Sequence, residues 1–423
     1  MSGIGRRLLP PVAAALTSKT MERAVHAVAG AGRAVRGGRR TLTVYHRVDD
    51  PYSDLLVQAL PRIRDAYDVH LRLRVAGPTD PAELGDPELW PAHARADAAA
   101  IAPAYGLRFE ARAPRGEDVA LAERVLVRHR EASEALEVFA QVGRALFTGD
   151  RATLEALPAA GEAETARELE DASAERARRG HYLGGTLHHE GELYWGVDRL
   201  SLLERRLIAA GARTAAGDAP LFETPSMGEG PHAAATVEVF YSFRSPYAYL
   251  GLERAARLFT DRPVTLVPRP IAPMVRRGVT ASRAKRVYIV RDVARLARAA
   301  GVPFGRACDP LPGFARAAAL YAVAADEDRA LPFLRAYGRG VWSEGLDVMR
   351  DGDLRRLAEE VGLPWAACEA SLRSGPPAFL DENAAALHDH GLWGVPTFVL
   401  DGRALWGQDR LWLLDQRIRD RVA

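Results

Sequence analysis

The stretch VEVFYSFRSPYAYLG, residues 237–251, decides the fold. Its opening run is β-branched and aromatic, which predicts a strand over TVEVFYSF, 236–243. Ser245 then stands immediately before Pro246, and apolar residues recur at helical spacing through Phe259. Serine at the cap and proline in the first turn are the residues that start a helix. A strand running straight into a capped helix is the first half of a β-α-β unit. RPVTLVPRPI, 262–271, supplies the second strand. A helical stretch with breaks follows over 281–375, then the hairpin TFVLDGRALWG, 397–407, turning at Asp401-Gly402, and a closing helix QDRLWLLDQRIRD.

The same order occurs once before. TLTVYHRV, 41–48, reads as a strand, and a capped helix follows from DDPYSD. DVHLRLRVAG, 68–77, is a second strand, and residues 88–179 are mostly helical. TLHHEGELYWG, 186–196, is a hairpin turning at Glu-Gly, and VDRLSLLERRLIAAG is a helix closed by Gly211. Pro51 and Pro246 lie 195 residues apart, and Trp195 and Trp406 lie 211 apart. Both ends of the two halves therefore match, with interiors that differ by 16 residues, which reads as a tandem duplication. The predicted organisation is a basic helical segment and linker over 1–40, a domain over 41–213, a linker over 214–235 and a second domain over 236–423.

Composition narrows the function. With 48% hydrophobic and 26% charged residues in 423, the chain is globular and long enough for two domains. Residues 1–40 carry eight Lys/Arg against Glu22 alone, so the remainder is mildly acidic and no nucleic-acid surface is expected on it. Within the first forty residues, Arg6-Arg7 precede an apolar run broken by Pro10-Pro11, and no clear signal-peptide cleavage site follows. A basic amphipathic surface helix in weak contact with a membrane or an acidic partner is expected there, in a cytoplasmic protein. GAGRAVRGGRR reads as a linker. Two cysteines, Cys308 and Cys368, cannot build a disulfide framework or a four-thiolate site, and no metal is expected. Lys285 is the single lysine outside the N-terminal segment, which holds Lys19.

VEVFYSFRSPYAYLG at 237–251, AKRVYIVRD at 284–292 and GLWGVPTFVLDGRALWGQDRL at 391–411 together resemble the 2-hydroxychromene-2-carboxylate isomerases and kappa-class glutathione transferases. These are relatives of the DsbA-type disulfide oxidoreductases. The implied fold is α/β: two tandem thioredoxin-like domains, each with an all-helical insertion. In the oxidoreductases the turn before the first helix carries a Cys-x-x-Cys pair. Here it is Ser245-Pro246-Tyr247-Ala248, so dithiol chemistry is excluded at this site. By its position alone Ser245 reads either as an N-cap or as a hydroxyl that donates to a sulfur arriving on a ligand. The resemblance implies that the ligand is glutathione, a cosubstrate, and that Ser245 is catalytic.

Further roles follow from the same resemblance. Val395 and Pro396 match a cis-proline loop whose freed backbone can pair with bound glutathione. Asp409 and Arg410 match the pair for its γ-glutamyl end. Lys285, in an A-K-x-x-Y-x-x-x-D run with Tyr288 and Asp292, is placed to contact a ligand carboxylate. Phe243 and Tyr247 are expected to wall an apolar substrate pocket. One departure is Arg276-Arg277-Gly278-Val279, where the family carries an Asn in a G-N-x-P-P stretch. The first half lacks the equivalent chemistry: Asp50 stands where Ser245 stands and Gly185 where Pro396 stands, although Asp198-Arg199 survive opposite Asp409-Arg410. A carboxylate there would repel a thiolate, so that half reads as structural or regulatory. The expected function is a glutathione-dependent isomerase or transferase acting on a small electrophile, with the halves as an intramolecular pseudo-dimer. The alternative is a non-catalytic thiol-peptide or protein-binding module.

Overall fold

The computed structural model describes residues 3–35, 37–217, 219–279 and 282–422, with the side chains from residue 10 onward. Arg36 of the basic segment, and the side chains of Arg6 and Arg7, lie outside the described residues. The chain divides into two compact units. One comprises Arg23–Pro225 with Ser282–Tyr288, and the other Met1–Glu22, Ser226–Ala281 and Ile289–Ala423.

The first of these holds a four-stranded sheet of β1 (Thr41–His46), β2 (His70–Val75), β3 (Thr186–His189) and β4 (Glu192–Trp195). The second holds β5 (Ala235–Ser242), β6 (Val264–Ile271), β7 (Thr397–Leu400) and β8 (Arg403–Trp406). The orders β2-β1-β3-β4 and β6-β5-β7-β8 are the same, with one parallel and two antiparallel pairings in each. The parallel registers also superpose: Thr43 faces Arg72, and 195 residues later Glu238 faces Val267. Both hairpins turn through two residues of positive φ, Glu190-Gly191 and Asp401-Gly402, as a two-residue connection that follows the strand twist requires. These are two DsbA-like thioredoxin folds in tandem, mixed α/β, each interrupted by helices between its second and third strands.

Recurrences inside the helical regions sharpen the duplication. Gly143 sits so close to Asp54 that a Cβ there would meet Oδ1 at 1.9 Å, and Gly338 sits likewise on the Tyr249 ring, at 2.3 Å. Both members of each contact are 195 residues apart. The 16-residue difference therefore arises after Gly338, where the second half has helices Asp351–Glu360, Trp365–Arg373 and Phe379–Asp389. The first half has only Arg151–Glu155 and Glu162–Arg179 at that point.

Two expectations for the N-terminal segment change. A helix, Gly3–Thr17, continues through Pro10 and Pro11, with Pro10 packed on Gly345. Tertiary packing here outweighs the two lost backbone donors. A second helix, Lys19–Val35, covers the start of GAGRAVRGGRR, held by Arg33 Nε donating to Glu190 Oε1 at 2.8 Å. Among the described residues no helix is long and apolar enough to cross a membrane.

The segment before β5 is fastened rather than loose. Asp415, buried on the closing helix Leu411–Arg419, accepts from His232 Nε2 at 2.7 Å, from the Gly228 N–H at 2.9 Å and from Arg419 Nε at 3.1 Å. Burial pushes its carboxyl upward, but these donors outweigh that and hold it below the usual carboxylate range.

Candidate active site of the second half

β5 ends at Ser242, whose carbonyl accepts from the Ser245 N–H at 2.9 Å. Ser245 is extended, Pro246 opens the helix Pro246–Leu258, and Ser245 Oγ accepts from the Ala248 N–H at 3.1 Å. The hydroxyl is half-buried, and among the described residues its own proton has no acceptor. The cap therefore uses only the acceptor side of the hydroxyl at a helix N-terminus, where the partial positive charge favours an anion.

Neighbouring side chains fix this turn from below. Phe243 is fully buried; its carbonyl accepts from Tyr337 Oη at 2.8 Å and its ring meets the Tyr337 ring edge-on at 5.2 Å. Arg244 is clamped on both Asp309 oxygens at 3.0 and 3.1 Å. Tyr247, expected as a wall of the pocket, donates its hydroxyl to the buried Asp292 at 2.7 Å, and Arg295 holds the other oxygen at 2.9 Å. Half-buried itself, Tyr247 is pinned by this bond, which orients its ring.

The peptide Val395–Pro396 is cis. Pro396 packs on the helix Pro246–Leu258 at Gly251, where a Cβ would come within 2.7 Å of the proline ring. The Pro396 carbonyl accepts from the Gly407 N–H at 2.8 Å, Thr397 Oγ1 donates to the Gly394 carbonyl at 2.8 Å, and Gly394 lies against the Trp406 indole. Val395 is half-buried, and among the described residues its N–H and C=O have no partner. Arg277, in the stretch that departs from the family, donates from Nε to the Ala272 carbonyl at 3.1 Å and from Nη2 to the Trp393 carbonyl at 2.8 Å. Burial lowers its pKa.

Asp409 and Arg410 start the closing segment as predicted. Asp409 is half-buried and accepts from Gln408 Nε2; Arg410 is buried. Gln408 in turn takes Arg254 on its carbonyl at 3.1 Å and on its side-chain oxygen. Lys285 is placed differently. Its ammonium donates to the Glu83 carbonyl, lies 3.7 Å from Glu83 Oε2 and sits 4.7 Å from the Tyr182 ring centroid. Only 5% exposed, it belongs with Ser282–Tyr288 to the unit built on the first half. The ammonium expected to meet a ligand carboxylate is thus engaged by Glu83 and Tyr182. Tyr288 follows it, edge-on to His181 at 4.4 Å, whereas Asp292 stays with Tyr247.

The equivalent turn of the first half is closed. Asp50 caps its helix by accepting from the Ser53 N–H at 2.9 Å and from Ser53 Oγ at 2.7 Å. Gly184 lies directly upon it: a Cβ there would meet Arg47 Cβ at 2.5 Å, Ser53 Oγ at 2.8 Å and Asp50 Oδ2 at 2.9 Å. Gly185, φ 60°, sits against the Tyr52 and Ser53 backbone, and its carbonyl takes the Gly196 N–H at 2.8 Å, the counterpart of Gly407 on Pro396. Burial pushes the Asp50 carboxyl up to about 6 and that of Asp54 to about 7.

One bond was overlooked in the sequence. Tyr52 Oη donates to Asp97 at 2.8 Å, and Tyr247 to Asp292 at 2.7 Å; both partners recur at the interval of 195. Carrying that interval along the chain identifies both aspartates.

The second half is similar to known proteins. The 2-hydroxychromene-2-carboxylate isomerase of Sphingobium xenophagum is 28% identical over 200 residues, 44% of this chain and 98% of its own length. That of Pseudomonas putida is 25% identical over 189 residues, 42% of this chain and 92% of its own. A solved structure of a 2-hydroxychromene-2-carboxylate isomerase covers 44% of this chain and 95% of its own, with 25% identity and a TM-score of 0.39. Residues 236–419 match the family described as DSBA-like thioredoxin domain. The second half of this chain therefore belongs to the DsbA-like thioredoxin family.

Proposed function

We propose that the second half binds glutathione and uses its thiolate as the nucleophile of an isomerase or transferase acting on a small electrophile. The observation that carries this reading is the uncommitted proton of Ser245, held at a helix N-terminus by a cap that uses only the oxygen's acceptor side. Donated to a sulfur, it favours thiolate over thiol, and the helix field acts in the same sense. The N–H and C=O of Val395, without a partner among the described residues, are suited to the peptide backbone of the ligand. Asp409 and Arg410 would hold its γ-glutamyl end.

In the reaction the thiolate adds to an electron-poor carbon of the substrate, forming a C–S bond as the double-bond electron pair moves away. Reversal after rotation expels the thiolate and gives an isomer; protonation of the carbanion by water with the C–S bond retained gives a conjugate. Relatives named 2-hydroxychromene-2-carboxylate isomerase favour the isomerase form. Cys308 and Cys368 are buried and not joined in a disulfide, and neither belongs to the turn Ser245–Ala248, which favours a sulfur supplied by the ligand. Calorimetry with glutathione tests the binding, and the ultraviolet absorbance of the bound thiolate as a function of pH tests the role of Ser245. Binding with a thiol pKa well below that of free glutathione is expected. Absence of saturable binding at millimolar glutathione overturns the reading. The pseudo-dimer is carried with it, and an obligate dimer of chains in light scattering counts against it.

A further inference from the structure

The strands of the second sheet share one rim. Their order is β6-β5-β7-β8, and the registers set Ser242 beside Ile271, Phe240 beside Thr397, and Thr397 beside Trp406. The Ser245 turn after β5 and the Val395–Pro396 peptide before β7 therefore stand at the middle of this rim. Asp409 follows β8 at one edge, and residues 272–277 follow β6 at the other. Neighbouring strands lie about 4.8 Å apart, so the three gaps make a rim of about 14 Å. An extended tripeptide covers about 10 Å, and a γ-linkage with a carboxylate at each end lengthens it further.

The β6 edge of the rim carries a charge that no ion pair offsets. Arg277 is half-buried and donates to the Ala272 and Trp393 carbonyls, and among the described residues no carboxylate is paired with it. Two neutral acceptors orient the guanidinium without cancelling its charge, and the rest of its fork can meet an anion. Trp393 stands two residues before Val395, so the same contact ties this cation to the loop that offers its backbone. Other cations of this region are spent or loosely held. Lys285 is engaged by Glu83 and Tyr182, and Arg269 by Glu238, while the exposed Arg276 lies over the Phe314 ring at 5.7 Å. At the interval of 195 the first half has Ala82, so the half whose turn is closed also lacks this cation.

We propose that Arg277 binds the glycyl carboxylate of glutathione and thereby sets which thiols the site accepts, a reading that rests on the glutathione site proposed above. With the γ-glutamyl end at Asp409 and Arg410 and the cysteinyl backbone on Val395, the tripeptide runs from the β8 edge towards the β6 edge. Its last residue then meets Arg277, whose planar fork matches a carboxylate.

Calorimetry on the full chain compares glutathione with its glycyl amide, which lacks that charge at nearly the same size. The wild type should bind the amide about tenfold or more weakly, the worth of a hydrogen bond to a charged group. Arg277→Gln should weaken glutathione by the same factor and leave the amide unchanged. An equal loss for both ligands assigns Arg277 to holding the Trp393 carbonyl and overturns the proposal. Glutathione bound equally by variant and wild type overturns it too, and leaves the guanidinium to a carboxylate on the electrophile. Should the variant fail to fold, the wild type decides: equal affinity for glutathione and its amide overturns the proposal while the glutathione site stands. No saturable binding of either ligand at millimolar concentration overturns both.

Discussion

Asp50 and Ser245 occupy the same turn of the same fold and cap their helices through the same N–H, that of the third residue on. What differs is what lies above. Over Asp50 the chain lays two glycines at van der Waals distance, and the carboxylate is enclosed with both bonds from Ser53. At Ser245 the corresponding loop carries Val395 and Pro396, and among the described residues neither the hydroxyl proton nor the Val395 backbone has a partner. One helix N-terminus is thus filled by its own protein's charge, while the other is left for a charge from outside. Duplication thus leaves the same turn satisfied by its own chain in one copy and by a single cap bond in the other.

The comparison breaks first at Ser245. Ser245→Ala should lower turnover with glutathione and a generic electrophile by about a hundredfold or more, the loss typical of removing one donor to a developing anion. Its KM for glutathione should change little. Undiminished kcat would show that the turn is not the site. Second, the matched glycines should respond alike: Gly143→Ala and Gly338→Ala each force a methyl into Asp54 or Tyr249 and should cost about 1–3 kcal/mol in denaturant unfolding. A neutral result at either position would mean that the helix pairs are less alike than their spacing.

Third, the halves should part company with pH. Asp50 and Asp54 have folded pKa values raised by burial to about 6 and about 7. A raised carboxyl stabilises the fold fully below its unfolded value of about 4 and loses that contribution as pH rises through the folded one. Hydrogen-exchange protection factors in the first half should therefore fall between about pH 4 and pH 7. Asp54→Asn should flatten that slope, and a slope unchanged by the variant would remove Asp54 as its source. The smallest expected effect is on glutathione kinetics in Lys285→Met, which should leave KM unaltered because the ammonium is engaged by Glu83 and Tyr182. A clear rise in KM would restore Lys285 to the site.

Local signals were legible wherever one residue type carries a backbone requirement. The caps at Asp50 and Ser245, the turns at Glu190-Gly191 and Asp401-Gly402, and the pairing of the two halves could all be read from spacing. The closure over Asp50 could not, because a glycine that permits close approach looks the same in sequence as one in open space. The surroundings of Lys285 were illegible for a related reason. Nothing in AKRVYIVRD says that its first residues pack with the first half while Asp292 bonds Tyr247 in the second. Pro10-Pro11 shows the same limit: a strong local signal gave way to packing on Gly345.

The carboxylate of Asp415 bears on how the second half can be isolated. A fragment cut at residue 236, where the strand pattern begins, would discard Gly228 and His232 and leave only Arg419 to hold a fully buried anion. Stripping partners from such a charge costs about 3–5 kcal/mol, a large share of what a domain of this size has to spare. An expression boundary drawn at Ser226 keeps them. The end of a domain is set there by electroneutrality, ten residues before its first strand is legible.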